Sequence, residues 1–232
     1  MQVRKVLAVL LALALQAVFA HADSVTRTVG SESFDFVVPK GQCVLEDSNS
    51  LDGKFIHTVS ALFKGAKNTL IVATMECGRR ARYRNGETGN VLNYTAYYTP
   101  DSYVNSTVDG ETQSLRKGLC DDMRKQSDAT LENVPDIVAR KAKELRAKIA
   151  VTSTSYIGVL DEDEHGCYAG LLVGVKGASN KVILMSSIVT STVSHGKPLF
   201  LAIYHEYDGP VTTTAGVQAA KATLAEFDKK NP

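Results

Sequence analysis

Residues 167–207 read "CYAGLLVGVKGASNKVILMSSIVTSTVSHGKPLFLAIYHEY", and this stretch decides the fold class. Three long strand candidates, residues 167–177, 180–194 and 198–207, meet at the short turns "GASN" and "HGK". Both turns contain glycine, and connections this short join antiparallel neighbours. A sheet with hairpin connections is therefore expected in the second half of the chain.

Working outward, "SFDFVVP" (33–39) alternates into an apolar patch and stops at Pro39-Lys40-Gly41, a strand followed by a turn. Leu51, Phe55, Ile56, Val59, Leu62 and Phe63 then recur at helical spacing, with Ser50 placed to cap and Gly65 near the end. "NTLIVATMEC" (68–77) and "VLNYTAYYT" (91–99) are rich in β-branched and aromatic residues and read as strands. From Gly110 onward the period changes. Leu115, Leu119 and Met123 lie four apart, and a second helix is expected from about Val134 to Ile149. Asn133 could cap that helix, Pro135 fits its first turn, and Ile137, Val138, Leu145 and Ile149 form its stripe. A last helix opens at Thr212 to Thr214 and turns Val217, Ala220, Leu224 and Phe227 inward. Helices segregated between hairpin-joined strands indicate an α+β fold, a mostly antiparallel sheet flanked by helices.

The first 22 residues carry Arg4 and Lys5, then an apolar run from Val6 to Phe19, then small residues at Ala20 and Ala22. This is the pattern of a removable signal peptide, and the run is short for the ~20 apolar residues of a membrane span. The rival reading is a retained anchor helix. Export places residues 23–232 outside the cytoplasm, in periplasm or medium, as one soluble α+β domain without membrane insertion. Losing the leader leaves 24 of the 26 lysines and arginines against 25 acidic residues. A chain so balanced has no concentrated positive field for nucleic acid.

Cys43, Cys77, Cys120 and Cys167 contain no C-x-x-C pair, so a zinc cluster or thioredoxin-type site is not expected. In an oxidising compartment four cysteines read as two disulfides, with three connectivities open. Nearest-neighbour pairing is favoured because shorter loops close more easily.

"FDFVVPKGQCVLEDS" (34–48) before a helix resembles the opening of the PsbP-like fold, the group that includes an extrinsic photosystem II subunit and the Ran-binding Mog-type proteins. "HGKPLFLAIYHEYDGP" (195–210) before a helix closing at Asn231 resembles the ending of that group. The chain also resembles uncharacterised exported bacterial proteins. It departs from the group in lacking Trp, in its four cysteines and in the helical insertion at 110–149. The resemblance implies a helix–sheet–helix sandwich that binds a partner rather than catalysing, and it supplies no catalytic residues.

Four stretches are candidate sites. "DEDEHGC" (161–167) imitates calcium-loop positions at Asp161, Asp163 and Gly166, but His165 stands at position 5 and Leu172 where the bidentate glutamate belongs. A polar turn accounts for it, with Gly166 supplying φ > 0 and a weak cation site as the rival. "GRRARYRNG" (78–86), read as extended, puts Arg80, Arg82 and Arg84 on one face. Such a row either guards a sheet edge or meets an anionic ligand or partner. "ARKAKELRAKIA" (139–150), with Arg140, Lys141, Lys143, Arg146 and Lys148, is read as a solvated helix face, the rival being a membrane-surface role. "YHEYDGP" (204–210) places His205 and Asp208 near a strand end, although His205 and Glu206 point to opposite faces. The sequons at Asn93 and Asn105 matter only in a eukaryotic secretory route.

The expected function is thus a non-enzymatic exported domain that binds an envelope protein or anionic ligand through Arg80, Arg82 and Arg84. No metal or cofactor is expected. The alternative is a periplasmic hydrolase with a site near His205 and Asp208. A third possibility is a purely structural envelope protein.

Overall fold

The computed structural model describes residues 23–87, 93–145, 149–177 and 181–232. The expected leader, residues 178–180 of the expected turn and residues 146–148 of the expected basic helix lie outside them.

Seven strands form one antiparallel sheet in the order β3-β4-β5-β9-β8-β7-β6. They are β3 (Gln42–Val44), β4 (Asn68–Glu76), β5 (Tyr94–Pro100), β6 (Ala150–Asp163), β7 (Gly166–Lys176), β8 (Val182–Ser194) and β9 (Lys197–Glu206). A separate hairpin joins β1 (Ser24–Val29) to β2 (Glu32–Val37). The fold is α+β, as the opening stretch implied. Its turn at His195-Gly196 has φ of 50° and 70°. Two consecutive positive φ values match the right-handed twist of flanking strands, and they fix Ser194 opposite Lys197.

Helices cover both sheet faces. α6 (Pro210–Lys230) lays Val217, Ala220, Leu224 and Phe227 against one face, with Leu199, Leu201, Ile203, Ile188 and Tyr168 beneath. Phe34 and Phe36 of β2 close this core from the side, and Phe36 meets the Tyr97 ring at 5.0 Å. Burying each such ring is worth about 1.5–3 kcal/mol. Asn231 finishes α6 by bonding β2 as a strand would: Oδ1 accepts from Asp35 N at 2.9 Å and Nδ2 donates to Asp35 O at 3.2 Å. On the opposite face α1 (Ser50–Gly65) packs Phe55 and Val59 on Ala73 and Met75. Two stacked tyrosine and phenylalanine pairs continue that layer, Tyr94 with Tyr204 and Tyr98 with Phe200. α3 (Thr112–Arg124), the single turn α4 (Asp128–Leu131) and α5 (Val134–Glu144) fill the connection from β5 to β6.

Several local expectations are corrected. Asn49, not Ser50, caps α1, its Oδ1 accepting from Leu51 N and Asp52 N. α5 stops at Glu144, and Ala150 already begins β6, so the stretch is not helical through Ile149. β1 forms from what reads as a polar start, because only its last residue, Val29, needs to be buried. "TSYIGVL" belongs to a 14-residue edge strand, which makes the series four strands long rather than three. The arginine stretch is not extended: residues Cys77–Arg84 form helix α2. Both disulfides join nearest neighbours, Cys43 to Cys77 and Cys120 to Cys167.

Candidate functional site

α2 redistributes the arginines. On a helix, residues four apart share a face and those two apart do not. Arg80 and Arg84 therefore converge on Asp52, in the first turn of α1, while Arg82 stays exposed elsewhere. Asp52 is wholly buried. Its Oδ2 accepts from Arg80 Nε at 2.9 Å and Arg84 Nη2 at 2.5 Å, and its Oδ1 accepts from Arg84 Nε at 3.1 Å. Glu46 adds its backbone N–H to Asp52 at 3.1 Å and its carboxylate to Arg84 at 3.1 Å. Burial alone would raise the Asp52 pKa, but the Arg84 bonds, the Glu46 N–H and Arg80 outweigh it and hold the carboxyl below the ordinary aspartate range. Arg84 is pushed up by Asp52 first and Glu46 next. Two guanidiniums face two carboxylates, so the row of three charges read from an extended chain does not exist here. What exists is a compensated ion cluster tied to β3 by Cys43–Cys77.

In "DEDEHGC" only Glu164 and His165 form the turn, while Asp161–Asp163 end β6 and Gly166 and Cys167 begin β7, and the corner is docked against α6. Asp163 Oδ1 accepts from His165 N, Gly166 N and the Tyr168 hydroxyl at 3.0, 3.2 and 2.9 Å. Lys221 of α6 reaches Asp161 at 2.8 Å and Asp163 at 3.3 Å. Its bond to Asp161 holds that carboxyl below the usual range. His165 Nδ1 lies 2.8 Å from Asp228, whose other oxygen accepts from Arg116 at 2.8 Å. Gly166 is not required for a positive φ. A Cβ there would lie 2.3 Å from Ser191 O, so close strand approach demands glycine. A cleft of about 390 Å³ opens beside this corner, between Gln113, Arg116 and Lys117 of α3 and Glu162–Glu164. Among the described residues no group of three or more His, Cys, Asp or Glu side chains is placed to hold a metal ion.

The edge strand β6 carries a feature that its composition hides. Its register with β7 skips Thr152, Ile157 and Leu160, so each is an extra, bulged residue. Bulges bend an edge away from further pairing and re-aim side chains. Here Ile157 and Leu160 both lean over Gly170: a Cβ added there would sit 3.0 and 2.9 Å from their Cδ1 atoms. Gly170 pairs with Ile188, which packs under α6, so both aliphatics lie on that face beyond the reach of the helix. Leu184 and Val182 extend the same face along β8. Exposures of 44% for Ile157, 39% for Leu160 and Leu184, and 52% for Val182 mark an uncovered aliphatic strip.

His205 and Asp208 do not converge. Asp208 is exposed and its N–H donates to Thr212 Oγ1 at 3.1 Å, while among the described residues no hydrogen bond joins it to His205. The direct neighbour of His205 is Ser186, its cross-strand partner. Burial, then the charge of Arg79, pushes the His205 pKa below its ordinary value. The Ser186 and Thr95 hydroxyls are buried without a hydrogen-bond partner among the described residues. Each such orphan costs about 1–3 kcal/mol, and each calls for a physical explanation. Sequence reasoning missed this pairing, although the two-residue turn at 195–196 sets the register that produces it.

On α5, Arg140 and Lys143 are exposed and Lys141 pairs with Glu144 at 2.7 Å. Asn105 is exposed, whereas Asn93 Oδ1 accepts from Glu206 N at 2.9 Å.

These features define a class: an α+β protein whose sheet has a helix layer on each face and, among the described residues, a sealed ion cluster at Asp52, a second, more open one at Asp228, and an exposed aliphatic strip. No family model matches the chain, and no curated protein matches it significantly.

Proposed function

We propose that the chain is an exported, non-enzymatic binding domain, PsbP-like in kind, that docks a protein partner on the aliphatic face beside α6. The observation that carries this reading is the pair of bulges that turn Ile157 and Leu160 onto one face over Gly170. The exposed halves of these aliphatics leave apolar area in water, and contiguous exposed apolar surface marks interaction sites. The leader and the helix–sheet–helix order support the export and family parts of the reading. Lys176, the cross-strand partner of Val182, and the exposed Lys181 bring positive charge to one end of the strip. The partner that fits is an envelope protein presenting an apolar segment with an acidic flank. The three arginines no longer serve as the contact, since two of them are matched by Asp52 and Glu46.

A photo-crosslinking phenylalanine at position 157, with position 140 as control, tests this in envelope extract. The expected product is one adduct specific to position 157. A synthetic peptide of the captured segment should bind the wild type and lose at least tenfold with Leu160→Lys, roughly the 1.4 kcal/mol that one anchor supplies. An adduct between two copies of this chain, or no adduct above the control, overturns the proposal.

A further inference from the structure

The aliphatic strip leaves unexplained a second feature of the same sheet face. Across β5, β9 and β8 one row runs Thr95–Ile203–Ile188, and the next step along β9 and β8 is the pair His205–Ser186. Cross-strand partners share a face, and Ile203 and Ile188 belong to the core under α6. Thr95, His205 and Ser186 therefore project to one side. The Cβ atoms of Ser186 and His205 are about 5 Å apart as direct partners, and Thr95 lies about 7 Å from His205 on the diagonal. Thr95 is 0% exposed and Ser186 2%, and among the described residues neither hydroxyl has a hydrogen-bond partner. Thr74, beside Thr95, commits its own hydroxyl to Gln42, so the adjacent polar side chain does not satisfy them.

We propose that Ser186, Thr95 and His205 form the floor of a binding site for a small carboxylate. A carboxylate offers acceptors only, and two hydroxyls with an imidazole N–H supply donors and no competing charge. The charge of Arg79, which pairs with Glu76 at 3.9 Å, is felt at His205. Glu206 follows on the strand and so points to the other face. The depth of both hydroxyls suits a free small acid rather than a side chain of a docked protein, and the site is independent of the aliphatic strip.

The test is an NMR titration of the His205 ring with acetate, against chloride at equal ionic strength. Bound carboxylate stabilises the imidazolium, so the expected result is a saturable shift of the ring signals and a His205 titration moved upward by about half a pH unit or more. The double variant Ser186→Ala, Thr95→Val removes two orphan polar atoms and keeps side-chain volume close. It should stay folded and bind acetate at least tenfold more weakly. Should the pair fail to fold, Thr95→Val alone, with a severalfold loss expected, serves as the second variant. A non-saturable shift, equal binding by the variants, or a crystal grown in acetate that shows only ordered water over Ser186 overturns the proposal.

Discussion

Two carboxylate clusters anchor helices to opposite ends of the sheet, each beside a disulfide, and they are built differently. Asp52 is sealed from water and holds two arginines, while Glu46 supplies the second negative charge. Asp228 keeps 18% of its side chain exposed and divides itself between Arg116 and His165, next to an open cleft. A sealed cluster exacts its full desolvation cost if a partner is removed, whereas an open one lets water substitute. Similar residue chemistry therefore carries different weight at the two ends.

The largest expected effect breaks the sealed end. Removing the carboxylate with Asp52→Ala leaves two arginines without their buried counter-ion and should cost about 3–5 kcal/mol in urea unfolding. Asp228→Ala, measured the same way, should cost about 1.5–3 kcal/mol, in line with a lost charged hydrogen bond. Equal losses would erase the distinction. The disulfides provide an internal control, because their sequence separations of 34 and 47 residues are similar. Chain-entropy reasoning gives about 4 kcal/mol for each, with the two paired Cys→Ser variants differing by only about 0.3 kcal/mol. A much larger gap would mean that the staples, and not the charges, separate the two ends.

Acid should expose a further difference, in two windows. The pKa of His205 is lower in the folded protein than its ordinary 6.5, so its contribution is complete above that pH and is lost as pH falls below it. The pKa values of Asp52 and Asp161 are also depressed, from an ordinary 3.8, so their contributions persist at neutral pH and disappear only below about that value. Melting temperatures across a pH series should thus step down twice, and His205→Gln should remove the first step alone. One step in both proteins would refute the assignment. The smallest effect belongs to the arginine that the helix turns outward. Arg82→Gln should change stability by less than about 0.5 kcal/mol, while Arg80→Gln, which strips Asp52 of a 2.9 Å partner, should cost several times more.

Strands β7, β8 and β9 were legible because each is a long β-branched run ended by a turn whose geometry is local. The α6 stripe was legible because Val217, Ala220, Leu224 and Phe227 repeat at helical period against one core. The misreading at residues 78–86 has a physical cause. Alternating arginines fit an exposed strand and an exposed helix equally well, and only contacts outside the segment select between them. Asp52, 28 residues before Arg80, makes that selection through bonds that require an i, i+4 pair. Ile157 and Leu160 lie in a stretch that the sequence did not mark as one of the long strands, and their placement was hidden in any case, because a bulge is a property of two paired strands and no single strand encodes it.

By itself, then, the amino-acid order determined the α+β class, most element positions and the candidate pairing of four cysteines, since these follow from periodicity, turn chemistry and loop length. Tertiary structure alone decided that Arg80 and Arg84 are matched by Asp52 and Glu46, that two bulged aliphatics share a face, and that the Ser186 and Thr95 hydroxyls are buried without a partner among the described residues. Each of these depends on which distant side chain comes within a few ångströms, and burial and pairing energies are fixed only at that range.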